Sequence, residues 1–327
     1  MADYQPPFSI TKQILALVSE ISEAVGYIDA AGLAPGSPKL RKGNLVKTIT
    51  GTLALEGNTL SLDQVSDIVD GKRVLGSARE IAEVHGAIKA YESLNHFDMT
   101  SEEDLLEAHR MLMEGVLTKS GLFRRGSVGI KKAGEVIHVA PSAEMVPQLM
   151  RDLLNWIATS DDHPLIVSSV FHYEFEFIHP FADGNGRMGR LWQTLILSRW
   201  KPVFTYLPLE SVIKEIQDGY YQALRQADGV GNSTEFIEFM LAAILQTCQD
   251  VAHANGNVPI NVPKDVPLKR RQQILTLIVA DKEITIARIA ELCKVSTKTI
   301  KRDIALLKDE NRLERVGSLK SGYWRVK

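Results

Sequence analysis

A chain of 327 residues with 45% apolar side chains and a net charge of −2 has the length for about two domains of ~150 residues and the composition for packed cores. No run of ~18 uncharged apolar residues occurs, so no membrane span is expected, and the start MADYQPPF lacks the basic-then-apolar pattern of a secretory signal. The two cysteines, Cys248 and Cys293, have neither CxxC nor Cys/His spacing; neither a disulfide framework nor zinc is expected, and a reducing cytoplasm is the simplest setting.

Helical apolar spacing runs over Ile10–Ala30 and again over Leu45–Glu56, where Gly57-Asn58 signals a stop. Ser61 with Gln64 has the form of a capping box opening the next helix. Ser77–Leu94 and Ser101–Leu117 read as two further helices. From Arg124 to Pro141 the pattern changes: Val128, Ile130, Val136, Ile137 and Val139 surround the turn-former Ala133-Gly134, which predicts a β-hairpin. Helices are predicted again over Ala143–Ile157, Pro164–Ile178, Asn185–Trp200, Leu209–Ala227 and Ser233–Gln249. Val251–Pro267, with three prolines and Asn255-Gly256-Asn257, is the linker candidate. It separates an expected body, residues 1–250 with a core near 100–250, from a tail, 268–327.

Charge divides the same way. Leu268–Lys327 holds 15 Lys and Arg against 7 Asp and Glu, a net +8, while the remainder is −10. A basic tail on an acidic body predicts two kinds of partner. Within the tail, Thr285 opens a short helix over Ala287–Cys293. Lys294-Val295-Ser296 is a turn, with Ser296 a good N-cap. Ile300, Ile304 and Leu307 form an apolar stripe that leaves Thr297, Lys298, Lys301 and Arg302 outward. Leu313–Val316 and Tyr323–Val326 can pair as strands around Gly317–Gly322.

The most informative residues are His179–Arg190, HPFADGNGRMGR. Pro180 disfavours continued helix, so His179 belongs at a helix-to-loop corner, where an imidazole can accept a proton near neutral pH. Phe181 is expected to anchor the loop in the core. Gly184-Asn185-Gly186 can aim backbone N–H groups at an anion, and a helix starting near Asn185 adds its dipole. Arg187 and Arg190 share a helical face suited to phosphate oxygens, and Asp183 suits Mg²⁺. Singly, each of these has an ordinary structural reading; jointly they supply what transfer of a phosphate-bearing group requires. His172, one helical stretch earlier, is read as a structural histidine.

The stretch matches HPFx[D/E]GNGRxxR at every specified position and so resembles the signature of the Fic family. The resemblance covers roughly Leu45–Asp250. It implies a mainly α fold with a small hairpin, called the flap. It implies transfer of AMP from ATP to a Ser, Thr or Tyr hydroxyl of a target protein, or of the protein itself. His179 would be the general base, Asp183 would coordinate Mg²⁺, and Gly184, Asn185 and Gly186 would cradle phosphates held further by Arg187 and Arg190. Val136, Ile137 and His138 of the flap would face nucleotide or target, the target segment pairing with an exposed strand. Gly121-Leu122-Phe123-Arg124 resembles the stretch before the flap, and Ala140-Pro141 keeps one of the two prolines common after it. Tyr220 and Tyr221 match a tyrosine pair found near the adenine in part of the family, and Asp228, seven residues further on, is a candidate for the same pocket.

Thr52–Gly57 resembles the family's inhibitory motif, [S/T]xxxE[G/N], in the class whose inhibitory helix precedes the core. Glu56 in a last helical turn opposes the helix dipole, a cost of about 0.3–1 kcal/mol that a nearby cation removes. The family supplies Arg190 as that cation, so Thr52 and Glu56 are the inhibitory residues, and in some relatives the same glutamate assists removal of AMP. The tail resembles winged helix-turn-helix domains of bacterial regulators, with DNA or another protein as its partner. The alternative reading is a DNA-binding transcription regulator whose Fic fold only senses nucleotide; intact signature residues favour the enzyme. A homodimer stays open.

Overall fold

The computed structural model describes residues 4–30, 38–126, 129–132, 135–254, 267–293, 297–309, 312–316 and 322–326; the side chains of the hairpin strands, of Lys298 and of several helix-end residues lie outside that description. Two compact units emerge, Met1–Ile260 and Asn261–Lys327.

The first unit begins with α1 (Lys12–Ala30), α2 (Pro38–Leu55), α3 (Leu62–Val69), α4 (Ala78–Glu92) and α5 (Glu102–Leu112). An antiparallel hairpin follows, β1 (Gly129–Lys132) with β2 (Glu135–Val139), its register shifting between Ile130 and Lys131. Helices α6 (Val146–Thr159), α7 (Pro164–Ile178), α8 (Asn185–Trp200), α9 (Leu209–Glu215), α10 (Gln217–Val230) and α11 (Thr234–Ala254) complete it. This is the mainly α fold with a small hairpin that the sequence led us to expect.

Side chains set the helix starts. Ser61 accepts from Gln64 N and Ser77 from Glu80 N, each in a reciprocal capping box, and Ser101 accepts from Asp104 N. Helix α7 has no polar face because it packs against α6, α8 and α11. Phe171, Phe175, Phe181 and Trp192 are fully buried in this region, each contributing ~1.5–3 kcal/mol of apolar transfer. The centre of the first unit is therefore the α7–α8 pair, and the loop between these two helices is His179–Gly184.

Several boundaries differ from the sequence reading; helix α11, for one, runs to Ala254, into the expected linker. Helix α5 stops at Leu112 rather than Leu117, because Met113 leaves helical geometry and Gly115 turns the chain at φ +75°. Helix α2 starts at Pro38, seven residues before the predicted Leu45, a start that the fixed φ of proline favours. The segment predicted as one helix over Leu209–Ala227 breaks at Ile216 into α9 and α10.

The second unit contains α12 (Pro267–Ala280), α13 (Ile286–Leu292), α14 (Thr297–Asp309), β3 (Leu313–Val316) and β4 (Tyr323–Val326). Helix α12 was not singled out in the sequence. Its Ile274, Leu275 and Ile278 pack with Ile289, Ile300, Ile304, Leu307 and Trp324 into one core. Thr285 caps α13 by accepting from Arg288 N at 3.2 Å. Strands β3 and β4 pair antiparallel, Leu313 opposite Val326. The turns at 133–134, 294–296 and 317–321 lie outside the described residues, as do 255–266 of the expected linker. Among the described residues no helix is long and apolar enough to cross a membrane.

Candidate active site

Helix α7 delivers His179 and helix α8 delivers the anion-binding groups, so the site follows from the loop between them. His179 caps α7 with its N–H bonded to Phe175 O at 2.9 Å, and its backbone is left-handed at φ 49°, ψ 60°. Among the described residues it is the only non-glycine with positive φ. Such a conformation costs of order 1–3 kcal/mol and persists only where the surroundings impose it. Proline at 180 ends the helix, and Phe181 then enters the core against Phe123, Phe175 and His109. Asn185 ties the loop to the start of α8: its Oδ1 accepts from Phe181 N at 2.8 Å and its Nδ2 donates to Phe181 O at 2.9 Å. The Asn185 side chain thus fixes the loop, and only its backbone is left to face an anion.

Two glycines are required here. Gly184 has φ +87°, and a Cβ on it would meet Met113 Sδ at 2.7 Å. A Cβ on Gly186 would lie 2.3 Å from Glu56 Oε1 and 3.0 Å from Arg190 Nη1. The carboxylate of Glu56 therefore sits against the first turn of α8, at the positive end of its dipole.

Arg190 is 2% exposed and is engaged by Thr52 on α2 and by Glu56 just past its end. Its Nε donates to Thr52 Oγ1 at 2.9 Å, and its Nη2 donates to Thr52 O at 3.1 Å and to Glu56 Oε1 at 2.7 Å. Burial opposes the guanidinium charge, but the Glu56 carboxylate outweighs it and the Arg190 pKa is raised. Asp183 lies on the other side. Its Oδ2 accepts from Arg79 Nη2 at 2.9 Å, and its Oδ1 accepts from Arg187 Nη2 at 3.1 Å and from Gly184 N at 2.7 Å.

A cavity of about 280 Å³ opens between these groups, within reach of pocket sizes that take small ligands. His179, Asp183, Gly184, Asn185, Gly186, Arg190, Glu56, Tyr220, Tyr221 and Asp228 all border it. Thr52 reaches it through Arg190. Arg187 does not: it is 1% exposed, held between Asp183 and Glu83, with Glu83 Oε1 at 3.4 Å from its Nη1. In this arrangement Arg187 anchors Asp183 rather than facing the cavity. The backbone of Val136, Ile137 and His138 forms β2, which neighbours α10; their side chains lie outside the description.

The cavity wall on α10 is braced from below. Tyr220 is 2% exposed, its hydroxyl bonded to His172 Nε2 at 2.9 Å, while His172 Nδ1 faces Gln193 Oε1 at 2.7 Å. Burial lowers the His172 pKa to about 3, which keeps this imidazole a neutral structural brace. His109 has a similar place under the loop. Its ring stacks on Phe181 at 3.7 Å, Nδ1 accepts from Gly121 N at 2.9 Å, and Nε2 lies 3.1 Å from Asp183 O. Burial again dominates and lowers its pKa to about 4.

The sequence reading missed several participants. Glu176 borders the cavity, its Oε2 3.9 Å from His179 Nδ1, as do Leu224 and Arg225. The signal for Glu176 was a carboxylate inside an otherwise apolar, aromatic helix. Arg79 and Glu83 on α4 gave no signal beyond the charged face of an exposed helix. In the second unit Thr297, Lys301 and Arg302 are exposed on α14, opposite the buried Ile300, Ile304 and Leu307.

Comparison with known proteins bears on both units. Residues 99–197 match the model of the Fic/DOC family, and residues 270–323 match an HTH domain. The crystal structure of a Fic family protein from Desulfovibrio desulfuricans G20 is 40% identical, with a TM-score of 0.75 over 99% of this chain and 98% of that one. Protein adenylyltransferase fic-1 of Caenorhabditis elegans is 32% identical over 58% of this chain and 37% of its own length. Protein adenylyltransferase Fic of Culex quinquefasciatus is 30% identical over 71% of this chain and 46% of its own. The chain thus spans about half or less of the length of the curated relatives it matches.

Proposed function

Because the chain belongs to the Fic/DOC family, we propose that it is a protein adenylyltransferase that moves AMP from ATP to a hydroxyl of a target protein or of itself. The observation that carries this reading is one cavity bordered by the His179 imidazole, the first turn of α8 and Arg190 together. ATP enters with its phosphates toward Gly184–Gly186. The target hydroxyl oxygen attacks the α-phosphorus, the bond to pyrophosphate breaks, and the hydroxyl proton passes to His179. A positioned base of this kind contributes roughly 10²–10⁴-fold in rate. Backbone N–H groups at the α8 start and the Arg190 guanidinium hold charge on the leaving pyrophosphate. Tyr220, Tyr221 and Asp228 take the adenine side.

Mg²⁺ suits Asp183, whose partly exposed carboxylate already attracts two guanidinium groups. Asp183 would hold the ion, a hard cation that otherwise takes phosphate oxygens and water. Bound there, it would neutralise phosphate charge in the transfer.

Glu56 restrains the reaction in this reading. Its carboxylate occupies both the dipole end of α8 and the guanidinium that a terminal phosphate needs. Incubation of wild type, Glu56→Gly and His179→Ala with labelled ATP and Mg²⁺ tests the proposal. Self-labelling should rise in Glu56→Gly and vanish in His179→Ala; full labelling by His179→Ala would refute the base. A chase with unlabelled ATP reads any reverse removal of AMP, which Glu56 would assist.

For the second unit we propose DNA binding through α14. Exposed Lys301 and Arg302 on a helix-turn-helix with net charge +8 support it, with Thr297 and Lys298 beside them. A nucleotide-sensing regulator without transfer is the competing account, and His179→Ala discriminates the two.

A further inference from the structure

Arg124 lies just before the hairpin, outside the cavity, yet its guanidinium is directed at the corner that carries the base. The residue is 5% exposed and forms no ion pair among the described residues; burial alone lowers its pKa. Its donors go instead to four backbone carbonyls. Nε donates to His179 O at 2.7 Å, and Nη2 donates to Ile178 O at 3.2 Å. Nη2 also donates to Pro141 O at 2.6 Å, and Nη1 donates to Gly126 O at 2.9 Å. The Arg124 backbone N–H adds a bond to Pro180 O at 2.9 Å.

These acceptors fall into two groups. Ile178 and His179 are the last carbonyls of α7, beyond the reach of a following helical N–H because the helix ends where the chain turns left-handed at His179. Gly126 and Pro141 are the two feet of the hairpin β1–β2. One planar guanidinium therefore clamps the corner that carries His179 to both ends of the hairpin. Five donors in a fixed fork suit this; an ammonium would supply the charge without the geometry.

We propose that Arg124 is a positioning residue for AMP transfer, holding the left-handed backbone of His179 and setting the spacing between its imidazole and the hairpin. The proposal rests on the reading above, in which His179 is the base and β2 receives the target segment. Arg124 does not border the cavity, and the phosphate-binding groups of the loop and of the α8 start do not depend on its guanidinium, so the clamp bears on the hairpin and the base rather than on the phosphates. Displacing a reacting group by about 1 Å costs roughly 10²-fold in rate. Loss of the clamp should therefore lower the transfer rate and leave nucleotide affinity unchanged.

The test uses the full chain in the Glu56→Gly background, with Arg124→Lys and Arg124→Ala. Three quantities are read: self-labelling rate against ATP concentration, affinity for α,β-methylene-ATP by calorimetry, and the His179 ring resonances in ¹⁵N-histidine-labelled protein, assigned by their loss in His179→Ala. Both variants should lose roughly 10²-fold in maximal rate. The apparent KM for ATP and the analogue affinity should hold, and the His179 resonances should shift or broaden. If Arg124→Ala fails to melt cooperatively, Arg124→Lys, which keeps the charge, decides. Parental rate in Arg124→Lys, or affinity falling in step with rate, overturns the proposal. If Glu56→Gly labels neither itself nor any protein of a cell lysate, the transfer reading fails; the His179 resonances then decide the clamp alone, and an unchanged spectrum in Arg124→Lys refutes it.

Discussion

The Tyr221 hydroxyl donates to the carbonyl of Leu55 at 3.3 Å while Tyr221 also borders the cavity beside His179. Leu55 is the last residue of α2, and the Ala54 carbonyl beside it accepts from Lys214 Nζ at 2.9 Å. The helix that carries Thr52 and Glu56 is thus capped at its C-terminus by α9 and α10, one of the caps being a cation where the dipole favours one. The wall of the cavity and the support of the proposed inhibitory helix share a residue, Tyr221.

Removing that hydroxyl should loosen the brake without altering the wall. A single hydrogen bond contributes about 0.5–1.5 kcal/mol, so Tyr221→Phe should shift the balance toward released Glu56 by roughly two- to tenfold. The initial rate of self-labelling in otherwise wild-type protein should rise by that factor and remain below the rate of Glu56→Gly. In the Glu56→Gly background the same substitution should add nothing. A rise of equal size in both backgrounds would place the effect in nucleotide binding instead.

Arg79 engages Oδ2 of Asp183, the carboxylate that would hold Mg²⁺, at 2.9 Å. The Arg79 side chain is 61% exposed, which limits the pair to about 0–1 kcal/mol. Arg79→Ala should therefore lower the Mg²⁺ concentration for half-maximal transfer by up to about fivefold, measured in the Glu56→Gly background. Maximal rate at saturating Mg²⁺ should not change. An increased Mg²⁺ requirement would show that Arg79 helps to hold Asp183 in its binding position.

What the sequence could disclose was set by how far apart the partners lie along the chain. The loop His179–Gly184 and the first turns of α8 were readable because their contacts close within twelve residues. Glu56 and Arg190 are 134 positions apart, and only the resemblance to a family joined them beforehand. Arg79, Glu83 and Lys214 had no such aid: a charged residue on a helix face reads as solvated until the fold supplies its partner. The resemblance placed Arg124 before the flap but named none of the carbonyls it meets. Arg187 shows the opposite error, since a helical face shared with Arg190 did not reveal that Glu83 and Asp183 would bury it. The break at Ile216 was hidden because apolar spacing continues across it.

Acid should destabilise the first unit through its neutral histidines. His109 has a folded pKa near 4 and His172 near 3, against an ordinary value of 6.5. Below pH 6.5 the unfolded chain takes up protons that the folded chain refuses, so stability falls with pH through that window and levels off below the folded values. Each group contributes on the order of a few kcal/mol over the full span. Glu174 and Glu210, whose carboxyl pKa values burial raises, act in the reverse sense, so the contrast between variants is the cleaner measurement. Between pH 7 and pH 5 the melting temperature of His109→Gln should fall less than that of wild type. An equal fall would remove His109 as a source of acid sensitivity.

Salt should reveal whether α14 meets DNA. Every phosphate that the protein no longer neutralises makes the slope of log K against log salt shallower by about 0.9. Lys301 and Arg302 are exposed on α14, whose opposite face is core, so replacing both with alanine should leave the fold of the second unit intact. The double variant should bind duplex DNA more weakly at every salt concentration and show a slope shallower by about 2. Filter binding of the full chain between about 50 and 200 mM salt measures both. Wild-type protein that retains no DNA even at the low end would remove DNA as the partner of this unit, because phosphate attraction is strongest there and a surface that fails at low salt has no electrostatic footing at any higher one.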